Sequence, residues 1–273
     1  MDFKLVVLDL DDTLLKNDQT IEPRAARTIK EFKDKGIEFM IATGRAYCTA
    51  LPFQRELKID SPIICHNGAF ILDGDGRELY HKPVALPLAR EIMNFCHEHG
   101  LELCIYVKDS LYFRRRNAQT AGYERTSEIV GEPTHRPLAE VIDSPPTKML
   151  ILEEDRRRQE HYIARLRDLY SRRLNITTSK SHFIEIINSS VDKSEALKYL
   201  GNHMDFEPEE VVAMGNGFND LGMINWAGIG IAVENAPAGI KNSADKITAS
   251  NEEAGVARAL ESLFGSSDKE QDV

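Results

Sequence analysis

Short apolar runs at both ends of the chain predict buried strands. The first run, FKLVVLD at residues 3–9, is rich in branched residues and lacks the polar alternation of a half-exposed strand, which is typical of a parallel sheet. Similar runs recur at residues 37–42, 62–65, 211–215, 228–233 and 246–249. Helical patterns separate the runs, for example over residues 22–36. This alternation predicts parallel strands joined by right-handed crossovers.

The middle of the chain follows a different pattern. Residues 70–82 predict a hairpin that turns at Asp73-Gly74-Asp75-Gly76. After Pro83, paired strands and helices predict α+β structure. The predicted organisation is therefore a doubly wound α/β core with an inserted α+β domain. We place the core at residues 1–83 and 187–273, and the inserted domain at residues 84–186.

The charge and hydropathy of the chain limit the classes of function that it can have. The net charge of −10 argues against general binding to nucleic acid or to membrane surfaces, because both rest on basic patches. No window approaches the ~18 apolar residues that a membrane span needs, and the first residues lack an apolar stretch of signal-peptide length. We expect a cytoplasmic protein that acts on a small molecule, without nucleic-acid or membrane partners.

Polar side chains follow the predicted core strands, where ligands bind in open α/β sheets. Asp9 and Asp11 follow the first strand, Thr43-Gly44-Arg45 the second, and residues 215–220 a later one, while Lys193 opens the helix before that strand. Taken singly, each is explained by a turn or a solvated surface. Together they supply the carboxylates, cation and amides that phosphoryl transfer requires.

The spacing of Asp9 and Asp11 suits two coupled roles. Residues two apart at a strand end can lean to the same side, while Leu10 points to the core. One carboxylate can attack phosphorus while the other handles the proton. Oxygen ligands of this kind suit Mg²⁺, which keeps some of its waters.

Four segments resemble the motifs of the haloacid dehalogenase superfamily, in the order of that family. They are DLDDTLL (residues 9–15), ATGR (42–45), the lysine of VDKSEALKYL (191–200) and GNGFNDLGMI (215–224). The size and position of the inserted domain also resemble the cap of the Cof-type branch of this superfamily.

The resemblance implies a Mg²⁺-dependent phosphatase that works through an aspartyl phosphate. Asp9 would be the nucleophile and Asp11 the general acid and base. Asp9, the Asp11 backbone carbonyl and, directly or through water, Asp220 would serve the metal. The implied phosphate and substrate contacts are the Leu10 amide, Thr43, the Gly44 amide, Lys193, Asn219, Arg45 and Asn67.

One position departs from the family pattern. The fourth motif usually begins Gly-Asp, whereas this chain has Gly215-Asn216. An asparagine oxygen can bind Mg²⁺, but it carries one negative charge fewer than a carboxylate, so we expect weaker metal affinity or a shifted metal preference. Two alternatives to a phosphatase stay open: a phosphomutase or phosphotransferase of the same superfamily and, because of Asn216, a non-catalytic protein that binds a phosphorylated metabolite. The sequence does not determine the substrate, for which a sugar phosphate is one option, or the oligomeric state.

Overall fold

The computed structural model describes residues 3–178 and 183–265. The strands, in chain order, are β1 (Leu5–Leu8), β2 (Glu38–Ala42), β3 (Ile63–Cys65), β4 (Phe70–Leu72), β5 (Glu78–His81), β6 (Glu102–Val107), β7 (Ser110–Phe113), β8 (Glu132–Pro133), β9 (Lys148–Leu152), β10 (Leu174–Thr177), β11 (Phe183–Asn188), β12 (Val211–Gly215), β13 (Ile229–Val233) and β14 (Lys246–Thr248). The helices are α1 (Pro23–Asp34), α2 (Tyr47–Glu56), α3 (Leu86–Glu98), α4 (Ala118–Ser127), α5 (Leu138–Val141), α6 (Arg156–Tyr170), α7 (Lys193–Met204), α8 (Leu221–Trp226), α9 (Ala238–Lys241) and α10 (Gly255–Phe264).

The chain divides into two compact units. The first contains the described parts of Met1–Thr43, Pro52–Ile63 and Leu197–Val273, and the second contains Gly44–Leu51 and the described parts of Ile64–Ala196. The domain boundaries that we placed from the sequence, at residues 83/84 and 186/187, stay a prediction.

Parallel strands form the sheet of the first unit, as the sequence predicted. Their order is β14, β13, β12, β1, β2, and every strand pairs in parallel with its neighbour. The four residues of β1 are all buried, and Leu8 lies in register with Met214 on one side and Ile41 on the other. The residues that follow β1, β2 and β12 therefore emerge at the same edge of this sheet.

Helix α1 begins and packs as its sequence indicates. Pro23 occupies its first turn, and the side chain of Glu22 accepts a hydrogen bond from the Ala25 amide at 2.9 Å. Its apolar stripe packs against α10, where the rings of Phe32 and Phe264 lie 5.2 Å apart. The first unit therefore combines a parallel sheet with packed helices, which confirms the predicted α/β class.

The second unit contains a six-stranded sheet in the order β10, β11, β9, β6, β7, β8, with antiparallel pairs except between β7 and β8. Successive side chains along these strands point to opposite faces of the sheet, and both faces are apolar. The first face packs against residues of α3 and α6, and its strand residues include Leu103, Ile105, Met149, Ile151, Ile184 and Ile186. The second face packs with Ala46 and Tyr123, and its strand residues include Cys104, Tyr106, Leu150, Leu152 and Phe183. This arrangement confirms the predicted α+β character, although β8 and α5 were not predicted.

A substitution at Gly230 tests the packing of β13 against α8. A Cβ atom at Gly230 would lie 2.1 Å from the backbone oxygen of Ile224, so Gly230→Ala forces the backbone to move. We expect the free energy of unfolding to fall by about 1–3 kcal/mol, measured by urea denaturation.

Gly122→Ala is the matched control, because the nearest atom to its Cβ is the end of the Arg125 side chain at 3.8 Å. Because Gly122 lies within α4, this change should raise the free energy of unfolding by about 0.5–1 kcal/mol. Equal urea midpoints for Gly230→Ala and the wild type would contradict the close packing.

Candidate active site

The turn after β1 holds a buried carboxylate. Asp9 is only 4% exposed, and residues Leu10–Leu14 form one wide helical turn closed by the Leu15 amide, which donates to the Leu10 oxygen at 2.9 Å. The turn bends sharply at Asp12, whose φ is +58°. The hydroxyl of Thr13 lies 3.0 Å from Oδ2 of Asp9, so the turn supplies a donor to its own carboxylate.

Two asparagines brace this turn from neighbouring strand ends. The side chain of Asn235, just after β13, donates to the Asp12 oxygen at 2.7 Å. The side chain of Asn251, which follows β14, donates to the Leu15 oxygen at 2.9 Å, and its backbone amide donates to Oδ1 of Asn235 at 3.1 Å. The two asparagines therefore hold the backbone carbonyls of Asp12 and Leu15, at the bend and at the end of the turn.

The loop after β12 is organised by Asp220. Its buried carboxylate accepts hydrogen bonds at Oδ2 from the amides of Asn216, at 2.9 Å, and Gly217, at 2.8 Å. A Cβ at Gly215 would come within 2.5 Å of the Asp220 side chain, so only glycine fits there. The loop is therefore folded tightly around one carboxylate, and this fixes the position of Asn216.

The two loops meet at the Thr13 hydroxyl. Oδ1 of Asn216 lies 3.3 Å from this hydroxyl, on which Oδ2 of Asp9 also converges. A hydroxyl has one proton and can donate to only one acceptor at a time, whereas a cation would bind both oxygens at once. A carboxylate and an amide oxygen are ligands that suit Mg²⁺.

Within residues 3–178 and 183–265, no group of three or more His, Cys, Asp or Glu side chains is arranged to hold a metal. The oxygens around Thr13 come from one carboxylate and one amide, a mixed set that fits a cation that keeps several of its waters.

The structure divides the predicted site residues between the two units. The first unit carries Asp9, Leu10, Asp11, Thr43, Asn216, Asn219 and Asp220. The second unit carries Gly44, Arg45, Asn67 and Lys193. Within the first unit, the sheet brings Asp9 and Asn216 together at one hydroxyl. The catalytic and binding roles assigned to all these residues stay predictions.

In the second unit, an unusual turn precedes β4. His66, Asn67 and Gly68 all have positive φ, at 49°, 56° and 100°. A Cβ at Gly68 would lie 2.2 Å from the backbone oxygen of Asp192, so the turn packs directly against the start of α7. Lys193, the first residue of that helix, is fully buried.

The imidazole of His66 is buried beside this turn. Burial lowers the pKa of His66 well below its usual range, and the positive charge of Lys148 lowers it further. The ring packs on Tyr106 with a centroid distance of 4.8 Å. His66 is therefore neutral at physiological pH and acts by packing, without a charge of its own.

Residues outside the predicted set support the candidate site. In the second unit, Nζ of Lys148 donates to the Gly44 oxygen at 2.7 Å, and Oε2 of Glu185 accepts from Nδ2 of Asn67 at 2.7 Å. Glu185 interrupts the buried apolar run FIEII (residues 183–187), a signal visible in the sequence, whereas Lys148 only begins its strand and gave no such signal. Thr13, Asn235 and Asn251 were missed as well. The two asparagines follow predicted strands, so the rule used for the other strand ends could have found them.

Among the residues that the structure describes, no helix is both long and apolar enough to cross a membrane. The expected cytoplasmic location stays a prediction.

Comparison with known proteins identifies the family. Residues 6–260 match the model of the haloacid dehalogenase-like hydrolases. The chain is 31% identical over 272 residues to the 5-amino-6-(5-phospho-D-ribitylamino)uracil phosphatase YitU of Bacillus subtilis. The aligned residues cover 95% of this chain and 97% of YitU. The chain is 24% identical over 269 residues to the pyridoxal phosphate phosphatase YbhA of Escherichia coli, with 95% and 98% covered.

A solved structure agrees with this result. The fold matches the crystal structure of a haloacid dehalogenase-like hydrolase from Bacteroides thetaiotaomicron with a TM-score of 0.86 and 27% identity, over 96% of this chain and all of that chain. The chain therefore belongs to the haloacid dehalogenase-like hydrolases, within their Cof-type branch of phosphatases.

Proposed function

We propose that this protein is a Mg²⁺-dependent phosphatase that hydrolyses a small phosphorylated metabolite through an aspartyl phosphate on Asp9. The convergence of the Asp9 carboxylate and the Asn216 amide oxygen on the Thr13 hydroxyl is the observation that supports it most. A buried carboxylate at a strand end, oriented by its own turn, is suited to in-line attack on phosphorus.

In the first proposed step, an oxygen of Asp9 attacks the phosphorus atom, and the bond between phosphorus and the leaving oxygen breaks. Asp11 gives its proton to that leaving oxygen. In the second step, Asp11 takes a proton from water, whose oxygen attacks the phosphorus and breaks its bond to Asp9. Inorganic phosphate leaves, and both carboxyl groups return to their starting states.

The proposed metal ligands are Asp9, the backbone carbonyl of Asp11 and Asn216. When bound, Mg²⁺ would neutralise part of the charge on the transferring phosphoryl group. We also assign Asp220 to the metal shell, directly or through water, in addition to shaping the loop, where its Oδ2 accepts two backbone amides.

The remaining residues would bind the phosphate and the rest of the substrate. We assign Thr43, Lys193, Asn219 and the amides of Leu10 and Gly44 to the phosphate, and Arg45 and Asn67 to its surroundings. YitU and YbhA are named for a phosphoribitylamino-uracil and for pyridoxal phosphate. Both substrates are small phosphate monoesters, so we propose a small phosphorylated metabolite, such as a sugar phosphate, for this chain.

Asp9→Asn tests the nucleophile. The amide cannot form the aspartyl phosphate, so we expect turnover of 4-nitrophenyl phosphate with Mg²⁺ to fall by about a thousandfold or more. Circular dichroism and thermal unfolding should show that the variant is folded. Asp34→Asn, the same change at the exposed end of α1, should keep wild-type activity.

Retained activity in Asp9→Asn would reject the nucleophile assignment. Product analysis with a sugar phosphate separates the alternatives: release of inorganic phosphate supports a phosphatase, whereas an isomerised sugar phosphate indicates a phosphomutase. Tight binding of a phosphorylated metabolite without Mg²⁺-stimulated turnover would indicate a binding protein.

Asn216→Asp tests the metal site. The substitution adds a negative charge beside Asp9, so we expect the Mg²⁺ concentration for half-maximal activity to fall by about tenfold. Asn242→Asp makes the same change at an exposed position of the first unit and should leave that concentration unchanged. An unchanged or higher Mg²⁺ requirement in Asn216→Asp would remove residue 216 from the proposed ligand set.

A further inference from the structure

Two opposite charges are buried in the sheet of the second unit. Lys148 on β9 and Glu185 on β11 lie on the second face, with Nζ of the lysine 3.6 Å from Oε1 of the glutamate. Their side chains are only 4% and 7% exposed. Removing both charges from water costs free energy that their attraction often fails to recover, so a buried pair of this kind is weak evidence for stability alone.

Each charge also holds a residue of the candidate site. Nζ of Lys148 donates to the backbone oxygen of Gly44 at 2.7 Å, which holds the peptide group between Gly44 and Arg45 and so restrains the backbone of this glycine. Oε2 of Glu185 accepts from Nδ2 of Asn67 at 2.7 Å. An ionised carboxylate only accepts hydrogen bonds, so Glu185 fixes which end of the Asn67 amide faces it.

The contact between Gly44 and Asn67 closes a ring. A Cβ at Gly44 would lie 3.0 Å from Oδ1 of Asn67, so this oxygen packs against the glycine. The ring therefore runs from Gly44 to Lys148, to Glu185, to Asn67 and back. It joins two loops to the two strands that carry the charges.

We propose that Lys148 and Glu185 are positioning residues, which orient Gly44 and Asn67 for binding the phosphate group of the substrate. The inference rests on the proposed function, because Gly44 and Asn67 are assigned there to the phosphate and its surroundings. Preorganised amides bind an anion more tightly than amides that must be ordered during binding. Loss of the ring should therefore weaken phosphate binding, even when the protein stays folded.

A double substitution separates positioning from a purely structural ion pair. Glu185→Gln alone leaves the Lys148 charge buried without this carboxylate, so we expect the single variant to lose stability. Lys148→Met with Glu185→Gln removes both charges, which should preserve or restore stability to urea and heat. The double variant still lacks the donor to Gly44 and the carboxylate that orients Asn67.

We expect the folded double variant to bind inorganic phosphate at least about tenfold more weakly in isothermal titration with Mg²⁺ present. Its kcat/KM for 4-nitrophenyl phosphate should fall by a similar factor. Glu153→Gln is the matched control, because Glu153 pairs with Arg158 in the same unit at 2.8 Å and has no contact with the ring. This control should keep wild-type phosphate affinity and kcat/KM.

The outcomes distinguish this inference from the proposed function. A folded double variant with wild-type phosphate affinity and kcat/KM overturns the positioning role and leaves the phosphatase intact. If the wild type binds phosphate more tightly than the double variant but does not turn over phosphate esters, the phosphatase is rejected and the positioning role is retained. Wild-type protein that neither binds phosphate nor turns over esters overturns both.

Discussion

A carboxylate buried at the end of a central strand imposes the main requirement on the first unit. Asp9 is largely removed from water, and an ionised group in that position needs donors or a cation to compensate it. The turn after β1 supplies the Thr13 hydroxyl, and the loop after β12 brings the Asn216 oxygen to the same hydroxyl. The proposed metal would lie at these strand ends, and the proposed chemistry depends on this electrostatic arrangement.

The loops around that carboxylate are fixed by side chains that bind backbone. Asn235 and Asn251 hold the oxygens of the turn, and Asp220 holds two amides of the loop after β12. In the second unit, Lys148 holds the backbone oxygen of Gly44, whereas Glu185 holds the side-chain amide of Asn67. Rigid strands thus carry loops whose peptide groups cannot rotate freely, which is the preorganisation that binding an anion requires.

Much of the architecture could be predicted because it follows local rules. Buried apolar runs specified the parallel strands, and Pro23 placed the start of α1. Short elements such as β8 and α9 escaped prediction, since two to four residues carry no measurable periodicity. The strand-end rule selected Asp9 and Asn216, which the structure brings together. The same rule, applied to β13 and β14, would have drawn attention to Asn235 and Asn251.

The sequence by itself determined the longer elements, the α/β class and the family, because hydrophobic period and motif order can be read along the linear chain. The tertiary structure alone decided that Thr13 meets Asn216, 203 positions away along the chain, and that Lys148 and Glu185 reach Gly44 and Asn67. Such contacts depend on strand register and on how loops fold back over a sheet. A linear pattern shows that a charge interrupts a buried strand, but only the packed fold shows which group that charge holds.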